Sequence, residues 1–328
     1  MHEKCIFLIL RITNCNTHRD RQPMRYRRLD LNLLVALDAI LSEKSVTRAA
    51  SRLNVTQPAM SGVLARLREY FEDPLVLQVG RQMETTALAA SLAAPVRDLI
   101  MQIDTIIATE SAFDPAKSRR HFAITVSDYV MQVFLIEVLQ TISREAPGIT
   151  FEFRQSSGRA HDELESGEVD FVICPEIDIL PEHPHQVLFE DGYTVVAWTG
   201  NASIGDSLTF DEYLGLGHVV FRSHGQGNPW LERWFTQRYG DVRRVEMTAP
   251  SFGLLPHLVV GSNRIATMQT LLARKHVDIL PLRLVQPPIE LPKLTEVLQW
   301  NVHRDQDPAS QWLRERLRAA SLPSSATI

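Results

Sequence analysis

From Asp30 onward the apolar positions fall at helical spacing. Leu33, Leu34, Leu37, Ile40 and Leu41 form one stripe behind Asp30, a side chain suited to cap a helix start. Ser45 marks a second start, with Val46, Ala49, Ala50 and Leu53 at i, i+3, i+4 and i+7. After a short break at Leu53-Asn54-Val55, Thr56 caps a third helix. Pro58 is tolerated in its first turn, where the amide has no intrahelical partner. The buried stripe of this helix is expected to be Ala59, Val63, Leu64, Leu67 and Phe71. Leu75–Arg81 and Gln82–Thr86 then read as two short strands around a glycine turn, a wing. A long helix follows, in which Leu92, Val96, Leu99, Ile103 and Ile106 recur at spacings of four and three. That is a coiled-coil seam of about two heptads, expected to pair with another chain and to kink at Pro95.

Beyond the polar, proline-containing stretch 112–120 the period changes. Phe122, Ile124 and Val126 alternate, a helix is expected over about 130–145, and Ile149, Phe151 and Phe153 alternate again. A further helix leads to the apolar strand VDFVIC. TVVAW, HVVFR, RRVEMTA and NRIATM continue the rhythm, which implies βαβ units and a parallel sheet. Ala309–Ala320 reads as an arginine-rich amphipathic helix.

These patterns divide the 328 residues into a disordered extension (1–23), a winged helix-turn-helix (24–86), a linker helix (87–111), a hinge (112–120) and an α/β domain (121–328). The fold class expected is α+β multidomain, and Met24 is expected to open the folded part. The net charge is −5, so the chain as a whole is no polycation. Residues 24–86 nevertheless carry nine Arg/Lys against seven Asp/Glu, and 87–328 carry a net −9. A mildly basic head on an acidic body permits local phosphate binding. The three cysteines, Cys5, Cys15 and Cys174, form no disulfide framework, which fits a reducing cytoplasm. No apolar run reaches the ~18 residues a membrane span needs. No G-x-S-x-G, H-E-x-x-H, C-x-x-C or P-loop is present, which argues against an enzyme. His183 and His185 are too few for a metal site. No cofactor is expected.

At TQPAMSGVLARLREYFEDPLVLQ, with DLNLLVALDAILSEKSVTRAASRLNVTQPAMS upstream and FAITVSDYV, SGEVDFVI and GSNRIATM downstream, the sequence resembles the LysR-type transcriptional regulators over about residues 25–320. It is most similar to the branch of nodulation activators and regulators of aromatic-compound breakdown. The resemblance implies a cytoplasmic activator that binds promoter DNA, works with RNA polymerase, forms a homodimer or tetramer and answers to a small aromatic effector: a phenol, hydroquinone, benzoate or flavonoid. It also implies a C-terminal domain of two α/β subdomains like a periplasmic binding protein, with crossovers expected near 195–198 and 264–268.

In such a head the third helix enters the major groove. Gln57 suits a bidentate contact to adenine, Pro58 and Ala59 a thymine methyl, and Thr56 and Ser61 a phosphate. Arg48, Arg52, Arg66 and Arg68 are candidate phosphate neutralisers, although each alone also reads as a solvated charge. Three positions depart from the family's pattern: Gly62 and Gln78 replace common arginines, and Thr86-Ala87-Leu88-Ala89 replaces Thr-Pro-x-Gly. Arg81 is the candidate substitute wing contact.

Ligands of open α/β sheets sit at strand carboxyl ends. That rule nominates Ser127, Asp128, Ser156, Ser157 and Cys174, with His224, Asn228 and Phe252 closing from the second subdomain. Amides at the helix start after Ser127 suit a phenolate or carboxylate oxygen. Ser127 also reads as a helix cap, His224 as a loop histidine and Cys174 as core. The competing function is a small-molecule-binding protein whose DNA head no longer works.

Overall fold

Asp30, Ser45 and Thr56 each begin a helix by accepting a backbone N–H: from Asn32 into α1 (Leu31–Glu43), from Arg48 into α2 (Val46–Arg52) and from Ala59 into α3 (Gln57–Phe71). The computed structural model describes residues 30–80, 82–108, 113–155, 158–222 and 229–320, the side chains of 104–108 excepted. The expected extension 1–23, together with Arg81, Ser156, Ser157, His224, Asn228 and the side chain of Ile106, lies outside the described residues. The chain divides into two units, Met1–Ile100 and Met101–Ile328.

In the first unit Leu37, Ile40, Met60, Leu64, Leu67 and Leu75 close the core between the three helices and the wing. The wing is an antiparallel pair, β1 (Val76–Val79) and β2 (Gln82–Thr85), turned at Gly80 with φ +62°. The stripe on α3 lies where its pattern predicts at Val63, Leu64, Leu67 and Phe71, and departs from it only at the start, where Met60 is buried and Ala59 is exposed. Ala59 falls in the first turn, where the Thr56 cap fixes the helix phase.

The long helix is α4 (Ala87–Ala108), with Ala89 N–H donating to Thr86 Oγ1 at 3.1 Å. Its expected seam splits. Val96 is buried in the head's own core and Leu92 packs against it, whereas Leu99 is 41% exposed. Leu92 and Val96 are therefore corrected from pairing positions to core positions. A helix lying against its own domain buries one side of the heptad there.

The second unit holds two five-stranded sheets. The first has the order β4 (Thr150–Arg154), β3 (His121–Thr125), β5 (Phe171–Pro175), β12 (Leu294–Trp300), β6 (His185–Asp191). Asp128–Val130 (α5), a π-helical stretch Met131–Leu135 and α6 (Ile136–Glu145) follow β3 without a break; α7 (Ala160–Glu165) precedes β5. The second sheet has the order β11 (Leu282–Val285), β7 (Tyr193–Trp198), β10 (Ile265–Gln269), β8 (Gly217–Phe221), β9 (Arg244–Ala249). Its helices are α8 (Phe210–Gly215), α9 (Trp230–Tyr239), α10 (Leu255–Val259) and α11 (Thr270–Val277), and α12 (Pro308–Ala319) ends the described chain.

Both sheets are mixed rather than parallel. β12 and β6 run antiparallel in the first sheet, and β7 and β11 in the second, because the chain leaves and re-enters each sheet. It crosses from the first sheet to the second at Gly192, between β6 and β7, and returns through 286–293, between β11 and β12. The crossovers expected near 195–198 and 264–268 are corrected accordingly. Val195–Trp198 lies inside β7, and Ile265–Gln269 is a strand between β7 and β8. Its apolar run reflects burial on both faces in mid-sheet. Among the described residues no helix is long and apolar enough to cross a membrane.

Candidate functional site

Two surfaces concentrate the candidate residues. The first is the N-terminal end of α3, where Thr56, Gln57, Pro58 and Ala59 are all exposed and Ser61 is half-buried. Gln57 Nε2 donates to Ser61 Oγ at 3.1 Å, so the two side chains form one i, i+4 polar pair on the open face. Gly62 is exposed with open space around it. Arg66 is exposed on the same helix.

The other arginines divide by partner. Arg48 pairs with Glu43 at 3.1 Å and keeps 66% of its side chain exposed, so it stays accessible to a phosphate. Arg52 lies 3.7 Å from the buried carboxylate of Asp38, which Arg97 also meets at 3.3 Å. Arg68 donates from Nε to Pro74 O at 2.8 Å and from Nη2 to Val76 O at 3.0 Å. Arg52 and Arg68 thus also brace the head, Arg52 beside the Asp38 carboxylate and Arg68, itself exposed, on the carbonyls of the wing root.

The base-reading assignment predicts that Gln57→Ala loses about 1–3 kcal/mol of discrimination at one base pair, whereas Arg66→Ala weakens all sequences alike and lowers the salt slope by about one. Anisotropy titrations on a mutated-operator series separate the two; equal base preference in Gln57→Ala and wild type removes Gln57 from the reading face.

The second surface is a cavity of about 290 Å³ in the cleft between the two sheets of the second unit. Ser127, Asp128, Cys174 and Phe252 line it, as the strand-end rule expects. So do Tyr193, at the start of β7, Trp230, at the start of α9, and Gln269 and Glu296, on β10 and β12. Tyr193 stacks on Trp230 at 6.1 Å and 20°, and Phe252 stacks on Phe221 at 4.0 Å and 17°. Both aromatic pairs belong to the second subdomain. Tyr129 faces Phe252 edge-on from the first at 6.3 Å.

Several contacts among the described residues span the cleft. Asp128 accepts the backbone N–H of Phe252 at 3.0 Å and of Gly253 at 2.8 Å; Gln155 Nε2 donates to Pro250 O at 3.2 Å; Arg233 meets Asp178 at 2.5 Å. Gly253 makes the first possible, since a Cβ there would lie 2.6 Å from Gln132 Nε2 and 3.4 Å from Asp128 Oδ2. Ser127 Oγ is taken by the Val130 N–H at 3.2 Å. The expected oxyanion seat at Ser127–Asp128 is therefore corrected: the amide is capped and the carboxylate is spent as a latch.

Burial shapes the titrating groups. It pushes the Cys174 thiol up to about 12, so the side chain is a neutral lining group. Burial and the neighbouring Asp191 raise the Tyr129 phenol, whose O–H donates to Asp191 Oδ2 at 2.8 Å. Burial, then the like charges of Asp178 and Asp191, push the Glu296 carboxyl up to about 8. A carboxyl raised in the fold binds a proton that the unfolded chain has lost, so stability falls as pH rises from about 4.5 towards 8. Buried His218, pulled down to about 4, acts oppositely but only below its ordinary value near 6.5. Between pH 6.5 and 8, urea stability should thus fall more steeply in wild type than in Glu296→Gln, by up to ~1.4 kcal/mol per pH unit. Parallel slopes would show that Glu296 ionises normally.

The profile described as the lysR family of bacterial regulatory helix-turn-helix proteins matches residues 31–90, and the LysR substrate binding domain matches 115–321. The chain belongs to the LysR family of transcriptional regulators. Nodulation protein D 1 of Bradyrhizobium diazoefficiens is 41% identical over 294 residues, 90% of this chain and 94% of that protein. Nodulation protein D 2 of Rhizobium tropici is 40% identical over 294 residues, 90% of this chain and 93% of that protein. Among solved structures, a probable transcriptional regulator of Pseudomonas aeruginosa superposes with a TM-score of 0.62 at 26% identity, covering 91% of this chain and 99% of that one. This LysR-type chain is a DNA-binding regulator, not an enzyme, and its second unit is the family's small-molecule domain.

Strand-end reasoning missed Tyr193, Trp230, Gln269 and Glu296. One signal was present for Glu296: it stands two residues after Leu294, on the side of the strand that alternation assigns to Leu294 and Leu298, a carboxyl at a core position. A register shift follows directly between Glu296 and Val297, as bulges beside functional sites do.

Proposed function

We propose that this LysR-family member is a cytoplasmic transcription activator whose cleft closes on a small aromatic effector, a phenol, hydroquinone, benzoate or flavonoid. The observation that carries the reading is the ring-lined cavity between the subdomains, with Tyr193, Trp230, Phe221 and Phe252 on one side and Tyr129 on the other. A cavity of roughly 150 Å³ holds one benzene, so about 290 Å³ suits one to two rings. The relatives named for nodulation support the same reading. A ligand that meets rings on both sides of the cleft gains affinity for the closed form over the open one, which is what shifts an open–closed balance. Thermal-shift screening of the full chain with phenols, hydroquinones, benzoates and flavonoids tests it. A rise in melting temperature with at least one class is expected; no response to any class, with a response to non-aromatic metabolites, would overturn it.

The same reading has the protein act as a homo-oligomer on promoter DNA with RNA polymerase. Leu88 and Leu99 leave apolar surface exposed along α4, at 38% and 41%. With Leu92 and Val96 committed inward, pairing falls to the Leu99 side of the helix, together with Ile103. Leu99→Asp is expected to shift the protein to monomers in light scattering while the helical circular dichroism stays unchanged; a monomeric wild type contradicts the pairing.

A further inference from the structure

Deep in the cleft, two polar side chains line the cavity, and one of them carries a buried atom without a hydrogen-bond partner among the described residues. Glu296 is 4% exposed and Gln269 also 4%, and Gln269 Oε1 is buried with no hydrogen-bond partner among the described residues. A buried polar atom left unpaired loses about 1–3 kcal/mol, so such atoms mark either strain or a missing partner. These two lie on different strands, β12 of the first sheet and β10 of the second, and line one cavity. A group bound between them would join the two subdomains at the base of the cleft.

We propose that Glu296 and Gln269 are specificity-determining residues that grip one uncharged hydrogen-bonding substituent of the effector, a hydroxyl, carbonyl or amide, and make the cleft reject carboxylates. The proposal rests on the aromatic-effector reading above and narrows it. A neutral carboxyl and a side-chain amide each offer both a donor and an acceptor, so either suits a neutral group. An anion meets the reverse. Asp128 on α5, Asp178 after β5 and Glu232 on α9 also line the cavity, and Asp191 on β6 lies behind Tyr129. In the described lining the guanidinium of Arg233 is held by Asp178, and His161 Nε2 lies 2.6 Å from the Asp178 carbonyl oxygen. The raised carboxyl of Glu296 keeps that position mostly neutral at pH 7. An incoming carboxylate would be desolvated among acidic groups with no free cation in the described lining to balance it.

The test uses matched pairs that differ only in charge: benzamide against benzoate, and 4-hydroxybenzyl alcohol against 4-hydroxybenzoate. Each is titrated calorimetrically into the full chain at pH 7.0. The neutral member of each pair is expected to bind at least about tenfold tighter. Glu296→Leu should weaken the neutral probes about tenfold or more, while Glu296→Gln keeps them within about threefold; rescue by the amide but not by the alkyl chain is what a purely packing role would not give. Melting temperatures of both variants, measured alongside, establish that each is folded. Benzoates binding as tightly as their neutral partners, or Glu296→Leu binding like wild type, overturns this proposal and leaves the aromatic-effector reading standing. No binding by any of the four probes overturns this proposal too, whereas the aromatic-effector reading falls only on the thermal-shift result described above.

Discussion

Asp128→Ala should raise the effector concentration needed for half-maximal response about a hundredfold. The carboxylate accepts two amides of the opposing subdomain, at 3.0 and 2.8 Å, and in the proposed closing of the cleft both contacts belong to the closed form. Hydrogen bonds to a charged group contribute about 1.5–3 kcal/mol each. In the open form water takes up part of that, so a combined effect of about 3 kcal/mol on closure is expected, or two decades at ~1.4 kcal/mol per decade. Asp128→Asn keeps one acceptor and should lose about tenfold. Binding of promoter DNA without effector should be unaffected, because the residue lies in the second unit. The measurement is a dose–response in a reporter strain, beside calorimetry with the ligand that thermal-shift screening selects. A half-maximal concentration within threefold of wild type would remove the latch from the account.

Arg68→Ala should weaken binding to every DNA sequence at least tenfold and also lower the melting temperature. The reason lies at the root of the wing. Leu75 sits at φ +60°, a conformation that side chains with a Cβ rarely adopt. It is held there from both sides. Asp73 accepts the Leu75 N–H at 2.6 Å and the Thr86 hydroxyl at 2.7 Å, and Arg68 ties down the carbonyls of Pro74 and Val76. Losing Arg68 leaves two carbonyls short of a donor and the turn unsupported, at about 2–4 kcal/mol. The salt slope discriminates this from direct phosphate contact. A guanidinium that only braces the wing should leave the slope of log affinity against log salt unchanged, whereas a phosphate contact would lower it by about one. A lowered slope with unchanged melting temperature would return Arg68 to the DNA interface.

These two residues show where sequence reasoning reached and where it stopped. The caps at Asp30, Ser45 and Thr56 were legible because a cap and its helix are local: the signal and the structure lie within four residues. The identity of Asp128 as a cleft residue was legible for the same reason, since it follows directly on a strand. Its partners were not, because Phe252 and Gly253 lie more than a hundred residues along the chain and only the packing of one subdomain against the other brings them together. Arg68 read as one more outward charge, because the carbonyls it binds depend on how the wing folds back on α3. The crossovers failed differently. β7 and β10 are apolar because both faces are covered, and the same composition marks a strand in mid-sheet and a strand leaving it. The pairing seam on α4 was misread in part, since a heptad does not say whether its partner is another chain or the helix's own domain.

Under the proposed function, one chain couples a sequence-reading head to a cleft that senses an aromatic molecule. Footprinting of the full-length protein on DNA upstream of its own coding sequence tests it most directly, with and without the ligand chosen by thermal shift. The account predicts protection of one imperfect palindrome whose half-sites lie about one helical turn apart. It also predicts a changed protection pattern on adding ligand, and loss of that ligand-dependent change, but not of protection, in Asp128→Ala. Uniform coating of the DNA, or protection indifferent to every aromatic ligand that stabilises the protein, would contradict it.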